Sequence, residues 1–222
     1  MTASAADLTL DELRIALAPR IAAAAIFDGW NETALAEAAR VVGIDPAVAR
    51  LAFPGGAMEM IASWVESIDA EMAAAFDPMI LAQMPIRERI RSLVWFRLEA
   101  VGGLEEALRR ALAIQAMPQN FARTARLGWA SADAMWRLAG DTATDYNHYT
   151  KRAILASIYA ATLAVFVSDE SEGKADTRAF LDRRIEGVMK FEKAKAQLLQ
   201  GRERFDVMRF LGRLRYPARL VY

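Results

Sequence analysis

The chain has 222 residues, 55% of them hydrophobic and 25% charged, which suits one domain with a substantial core and argues against bulk disorder. It has no cysteine and a single histidine, His148, which excludes disulfides, cysteine nucleophiles, zinc fingers and Fe–S clusters and leaves no second histidine to share a metal ion. The 28 basic and 28 acidic residues cancel overall, but residues 1–80 carry four arginines against twelve acidic side chains, a net charge of −8, and residues 174–222 carry +7.

Apolar side chains recur at helical spacing along the whole chain, and alternating β-branched runs are scarce, which predicts an all-α fold. Cap signals mark the first three helices: a capping box at Thr9 and Glu12, an N-cap at Asn31, and Asp45 before a proline. The spacing predicts further helices over residues 57–74, 86–100, 104–116, 118–129, 130–138, 145–167, 176–199 and 202–215. No uncharged apolar run approaches the roughly 18 residues that span a bilayer, and the N-terminus lacks a basic targeting segment, so we expect a soluble or peripheral protein.

The second and third predicted helices, with the turn between them and Phe53-Pro54 after them, have the layout of a helix-turn-helix unit and resemble the N-terminal domain of TetR-type regulators. In the short third helix, Ala47, Val48 and Ala49 offer no hydrogen bonds to base edges, and Arg50 is the one plausible phosphate contact. Because DNA affinity depends on neutralising phosphates, the local charge of −8 argues against DNA binding. A ligand-responsive TetR-type regulator remains the alternative interpretation.

Residues 130–155, together with 180–185 and the basic C-terminal segment, resemble the ubiquinone-biosynthesis lipid-binding family of the coenzyme Q pathway. The resemblance implies a TetR-like fold and a non-enzymatic protein that binds an isoprenoid quinone precursor and presents it to a di-iron hydroxylase. It also implies a hydroxylase-facing patch, formed here by Leu98, Asp133, Met135, His148, Tyr149 and Arg152. The alternative is that Tyr149 and Arg152 only seal the helical bundle. Animal members of the family have a tryptophan at the position of His148.

Large aromatic and methionine side chains are distributed over the helices that follow the front unit. They suit either an ordinary core or a cavity for an elongated apolar ligand, and the sequence does not distinguish the two. If a cavity exists, we expect it to be lined by Trp95, Phe96, Met117, Phe121, Trp129 and Tyr159.

The predicted last helix, over residues 202–215, is basic and amphipathic. Val207, Phe210, Leu211 and Leu214 form one apolar stripe, and Arg202, Arg209 and Arg213 lie on the far side. Such a helix is typical of a membrane interface, although it could instead pack on the bundle or on a second subunit. The family resemblance favours an anionic membrane surface.

No catalytic motif is visible. Glu105 and Glu106 are adjacent, so they point about 100° apart on a helix, and neither a Glu-x-x-His motif nor a glycine-rich phosphate loop occurs. We therefore expect no enzyme, no cofactor, no metal and no nucleic-acid partner, and a homodimer by analogy with the fold.

The expected domains are a helix-turn-helix-like unit over residues 1–53, a lipid-binding bundle over 54–200 and a basic terminal helix over 201–222. The expected location is the cytoplasmic face of the inner membrane in a bacterium, or the matrix side in a mitochondrion.

Overall fold

The computed structural model describes residues 8–142 and 146–203 of the chain, and within these ranges it contains helices and no strand. The all-α prediction is confirmed. The α-helices, in chain order, are α1 Leu10–Asp28, α2 Glu32–Val42, α3 Pro46–Ala52, α4 Ala57–Ala75, α5 Pro78–Leu81, α6 Ile86–Glu99, α7 Glu105–Gln115, α8 Phe121–Leu138, α9 Tyr146–Phe166 and α10 Ala175–Glu203. Short 3₁₀ turns cover Pro118–Asn120 and Glu172–Lys174.

The caps predicted for the first helices are present. The Thr9 hydroxyl accepts from the Glu12 N–H while the Glu12 carboxylate accepts from the Thr9 N–H, which completes the capping box of α1. The Asn31 side chain accepts from two backbone N–H groups at the start of α2, and Gly43 ends that helix at φ 76°, where a side chain would be strained.

Three helix boundaries differ from the predictions. Residues 121–138 form one continuous helix instead of two, because Gly128 keeps a negative φ and nothing between Phe121 and Leu138 interrupts the hydrogen bonds. Asp77 caps an additional short helix, α5, by accepting from the Met79 N–H at 2.8 Å. The helix expected to end near residue 199 continues to Glu203.

The first three helices are bound to the bundle through α1 and a tryptophan pair. The α1 side chains Leu17 and Ile21 are fully buried, and α1 packs against α2, α4 and α7. Trp30, between α1 and α2, donates its indole N–H to the Ala107 carbonyl at 2.9 Å, and its ring lies 5.2 Å from that of Trp64 on α4. These contacts join the helix-turn-helix-like layout to the helices that follow.

The chain divides into two compact units between Leu181 and Asp182, within α10. The first unit contains α1–α9 and the start of α10, and the described part of the second is the remainder of α10. The domain boundaries expected after residues 53 and 200 stay predictions. No helix in the described ranges has the length and hydropathy needed to cross a bilayer.

Candidate functional site

A cavity of about 360 Å³ lies between α4, α7, α8 and α9 of the first unit. Each helix turns one stripe of side chains toward it. α9 contributes Ala156, Tyr159, Ala160 and Leu163, and the stripes of α4 and α7 have the same i, i+3, i+4, i+7 spacing, from Ile61 to Ile68 and from Leu108 to Gln115. Most of the wall is apolar, because these stripes consist mainly of alanine, valine, isoleucine and leucine.

Small residues leave the space open. Gly128 of α8 faces Ala156 and Ala160 of α9 around the cavity, and a Cβ atom built on Gly128 would meet no atom within 4 Å. Larger side chains at these positions would fill the cavity. The helices thus form a wall without closing on one another.

A buried charged side chain, Arg97, lies next to the apolar wall. Arg97 of α6 is 1% exposed; its Nη2 donates to Ser131 Oγ at 3.0 Å, and its Nη1 is ion-paired with Asp69. Its Cζ lies 4.9 Å from the centre of the Tyr159 ring, in a cation–π contact. Its Nε–H has no hydrogen-bond partner in the described ranges, while Ser131 and Tyr159 both line the cavity.

The six side chains expected to line a lipid cavity lie in different places. Tyr159 is in the wall, whereas Phe96 packs edge-on against Phe76, and Met117 and Phe121 are exposed. Trp95 lies under the Arg178 guanidinium, 3.6 Å from ring centre to Cζ. Trp129 contacts the rings of His148 and Tyr149. Lipid binding by these residues stays a prediction, and the structure places Tyr159 alone among the six in the wall of this cavity.

Sequence reasoning missed most of the wall, including Trp64, Gly128 and Ser131. The predicted lining consisted of aromatic and methionine side chains. Small residues such as Gly128 and Ser131 are what open a space between helices. The signal that could have found the cavity is the repeated i, i+3, i+4, i+7 stripe that combines apolar residues with glycine and alanine.

The six residues of the expected partner patch do not share one surface. Leu98 and Met135 are completely buried, so they cannot meet a partner directly, and this part of the expectation is corrected. Met135 follows Asp133 by two residues, which turns the two side chains about 200° apart on α8. Asp133 therefore lies on the outer face of the helix, while Met135 faces the core.

Arg152, also expected in the patch, is an internal clamp between α8 and α9. It is 2% exposed and ion-paired with Asp133 at 2.5 Å and with Asp141 at 3.0 Å. Asp133 also pairs with Arg137 at 2.8 Å, an i, i+4 contact along α8. Arg152 thus fixes the helix pair and is not itself displayed.

An aromatic cluster, formed by Trp129, His148 and Tyr149, remains on the outside of the α8–α9 pair. The rings of Trp129 and Tyr149 are 5.9 Å apart, and those of His148 and Tyr149 are 5.1 Å apart in an edge-on arrangement. Tyr149 is 62% exposed. Of the expected patch, His148, Tyr149 and the half-buried Asp133 are what the surface presents, and Trp129 from the expected lipid-binding set lies beside them.

The corner between α9 and α10 is organised by Asp169, which lies between the predicted helices over residues 145–167 and 176–199. Its buried carboxylate accepts from the backbone N–H groups and hydroxyls of Ser171 and Thr177, at 2.5–2.8 Å. Burial raises the pKa of Asp169, but these hydrogen bonds outweigh it and hold the pKa well below the usual range. Asp169 therefore caps the start of α10.

The third helix presents little to DNA. Ala47 and Val48 are exposed but carry no polar group, and Ala49 is buried. Arg50 is exposed, with its Nε 3.5 Å from a Glu32 carboxylate oxygen. The single basic side chain expected to contact phosphate thus faces a carboxylate of its own chain.

Residues 121–192, which include α8, α9 and the first part of α10, match the COQ9 family model. This segment is similar to the COQ9 domain. This domain holds the α8 and α9 walls of the cavity, the aromatic cluster, and the Asp133–Arg152 ion pair.

The chain is similar to proteins named "Ubiquinone biosynthesis protein COQ9, mitochondrial" from rat and human. It is 35% identical to the rat protein and 33% identical to the human one, each over 168 residues, which is 72% of this chain and 54% and 52% of those proteins. The chain thus spans about half the length of the curated relatives it matches.

A solved structure supports the fold. The TetR transcriptional regulator from Nitrosomonas europaea ATCC 19718 superposes with a TM-score of 0.61 at 20% identity, covering 78% of this chain and 95% of that one. The TetR-like fold predicted from the sequence is confirmed, and at this identity the likeness concerns the fold alone.

Proposed function

We propose that this protein is a non-enzymatic accessory protein of ubiquinone biosynthesis, which binds an isoprenoid quinone precursor and presents it to a di-iron hydroxylase at a membrane surface. The observation that carries the proposal is the cavity of about 360 Å³ between α4, α7, α8 and α9, two of whose walls belong to the COQ9 domain. The names of the rat and human relatives supply the pathway.

The chemistry of the wall favours binding over catalysis. Ligand sites of this size class are mostly apolar with a few placed polar groups, as here. Tyr159 is the one titratable side chain among the lining residues that the structure describes, and no acid–base pair faces the space. An apolar cargo would therefore be held there without being transformed.

The hydroxylase would dock on the outer face of the same helix pair. Trp129, His148 and Tyr149 form an aromatic cluster beside Asp133 and Arg137, and aromatic and arginine side chains are enriched at interface hot spots. The buried Arg152 supports this face from within by fixing α8 against α9.

The membrane and the location belong to the same proposal. The basic amphipathic segment begins at Arg202, in the last turn of α10, and its stripe from Val207 to Leu214, with Arg209 and Arg213, lies outside the described residues. An anionic leaflet would attract it. The relatives' names mention the mitochondrion, and the proposed location is the matrix side of a mitochondrial membrane, or the cytoplasmic face of the membrane in a bacterium. The homodimer is proposed by analogy with the fold.

Native mass spectrometry of the purified full chain tests the cargo. We expect the wild type to carry a co-purifying isoprenoid lipid, and Gly128→Leu to lose it because the new side chain occupies the cavity. Gly187→Leu is the matched control, since Gly187 is also a helical glycine with open space around its Cβ position but lies outside the cavity wall, on α10. A wild type that neither retains nor binds an isoprenoid lipid would overturn the proposal.

A ligand-responsive transcription regulator is the second candidate, favoured by the structural neighbour and by the α2–α3 layout. Its prediction is sequence-specific DNA retention that Arg50→Ala abolishes. The apolar surface of α3 and the Glu32–Arg50 pair favour the opposite result, so we expect no specific retention in a pull-down from fragmented genomic DNA.

A further inference from the structure

One end of the cavity adjoins a buried polar cluster. At this end, Ser131 and Tyr159 line the wall, and both contact the buried Arg97, through Nη2 at 3.0 Å and through the cation–π contact at 4.9 Å. In the described ranges, Arg97 Nε is the buried side-chain nitrogen left without a hydrogen bond. An arginine this deeply buried is usually fully bonded, so the polar group next to Ser131 and Tyr159 is incompletely satisfied. Arg97 itself does not line the cavity, and a ligand would sense it through Ser131.

The mouth lies at the other end. The α8 wall runs from Thr124 to Ser131, seven residues or about 10 Å of helix. On α8, Ser131 is buried whereas Ala125 is exposed. The cavity therefore deepens from a solvent-reached side near Thr124 toward the Ser131 end inside the bundle.

We propose that the ligand enters head first: a ring bearing an uncharged oxygen acceptor binds Ser131 at the deep end, and the apolar tail leaves past Thr124 and Ala125. This inference rests on the proposed function and adds the orientation of the cargo and the residue that recognises its head. Ser131 is the direct contact, and Arg97 is a positioning residue that acts through it.

The charge balance at this end selects an uncharged head. Asp69 already neutralises Arg97 through its ion pair, so a ligand carboxylate would be buried without a free countercharge. The Ser131 hydroxyl donates to the second Asp69 oxygen over 3.5 Å, at the limit of a hydrogen bond, so a ligand carbonyl has to compete only with this long contact for the proton. Because Arg97 donates to the same hydroxyl oxygen, it polarises the O–H toward a carbonyl.

The volume requires the tail to leave. An engineered cavity of roughly 150 Å³ accepts benzene. The cavity of about 360 Å³ thus accommodates a substituted ring and a few further carbons, and most of a long isoprenoid chain must extend beyond the mouth.

Two probes that differ only in their head test the recognition. Decyl-1,4-benzoquinone and decylbenzene share the ring size and the tail, and the quinone alone has carbonyl oxygens. We expect the full-length wild type to bind the quinone about tenfold more tightly than decylbenzene. A tenfold difference corresponds to about 1.4 kcal/mol, the size of one additional hydrogen bond in a buried site. Ser131→Ala should remove this preference and leave decylbenzene binding unchanged, whereas Ser157→Ala, an exposed hydroxyl on α9, should retain it.

Photo-crosslinking of the wild type tests the orientation without depending on any variant. A decyl-benzoquinone with a diazirine on the last tail carbon should label peptides that contain Gln115, Thr124 or Ala125. Labelling of Ser131 or Tyr159 by the tail would overturn the head-first orientation.

The outcomes separate the two proposals. Equal affinity for both probes, unchanged by Ser131→Ala, would overturn the recognition of the head and leave the apolar carrier standing. Failure of the wild type to bind either probe would overturn the proposed function and this inference with it.

Discussion

Arg152 Nε lies 2.5 Å from Asp133 Oδ1, so the buried guanidinium of α9 is ion-paired with the half-buried carboxylate of α8. The same guanidinium reaches Asp141 at 3.0 Å and the His148 carbonyl at 3.1 Å. Arg152, which was expected to face a partner, thus supports the aromatic cluster from within. The aromatic cluster and the Arg152 clamp can therefore be tested by separate substitutions.

Replacement of the clamp should destabilise the fold. Arg152→Met keeps much of the volume but leaves Asp133 and the buried Asp141 with one cation fewer each. Loss of one partner from a buried pair costs about 3–5 kcal/mol, and we expect the lower end, about 3 kcal/mol, because Arg137 and Lys151 still pair with these carboxylates. Equilibrium urea unfolding measures the change.

The control uses the other arginine on the same carboxylate. Arg137 is 74% exposed, so Arg137→Met should cost at most about 1 kcal/mol. Similar losses for the two variants would show that Arg152 does not act as a buried clamp.

Replacement of Tyr149 should affect the partner and spare the fold. Tyr149→Ala removes a 62% exposed ring from the aromatic cluster, so we expect a midpoint of thermal unfolding close to that of the wild type and at least a tenfold weaker capture of the di-iron hydroxylase in a pull-down. Phe27→Ala, an exposed aromatic residue at the end of α1, is the control and should retain capture. A large loss of thermal stability in Tyr149→Ala would assign the ring to the core instead.

Asp169 should make the stability depend on pH in acid. The pKa of Asp169 is lowered in the folded state, whereas the pKa of an aspartate in an unfolded chain is about 3.9. Between these two pKa values the unfolded chain therefore binds more protons than the folded one. The stabilisation is therefore complete above the unfolded pKa and is lost as the pH falls toward the folded pKa. In urea unfolding between pH 5 and pH 2, we expect Asp169→Asn to lose stability less steeply than the wild type, by at most about 1.4 kcal/mol per pH unit.

Glu170→Gln is the neighbouring control for this measurement, since Glu170 is exposed and should leave the wild-type slope intact. Equal slopes for wild type and Asp169→Asn would contradict the role assigned to the hydrogen bonds from Ser171 and Thr177.

Truncation should test the membrane segment. A chain that ends at Leu199 lacks the six arginines between residues 202 and 219 and the apolar stripe from Val207 to Leu214. We expect it to lose flotation with vesicles of phosphatidylcholine and cardiolipin, because each basic side chain near an anionic surface adds about 1 kcal/mol. Full-length protein with vesicles of phosphatidylcholine alone is the control, and unchanged flotation of the truncated chain would refute the role of the segment.

Local signals in the sequence were sufficient for most of the fold. The caps at Thr9, Asn31 and Asp45 act over three or four residues, and each forms as predicted. The predicted division of α8 had no such signal behind it, since neither a cap nor a left-handed glycine separates Trp129 from Ala130. The helix starts were predicted at these three caps, whereas the equally local cap of α5 at Asp77 was missed.

The candidate site depends on contacts between distant residues, which one sequence does not display. Arg97 meets Ser131 and Tyr159 across 34 and 62 positions, and nothing in the local pattern indicates that these helices face one another. Leu98 and Met135 of the expected patch are buried, because each lies on the side of its helix that faces the core. A resemblance transferred residue by residue does not show which side of a helix a residue occupies.

The unbroken course of α8 links two surfaces. Thr124, Gly128 and Ser131 face the cavity, while Trp129 and Asp133 lie about 140–180° around the same helix. A single residue inserted after Gly128 would rotate everything beyond it by about 100° and displace both surfaces at once. Evolution can therefore remodel the cargo chamber and the docking face by substitution, but a change in the length of this segment has to satisfy both demands together.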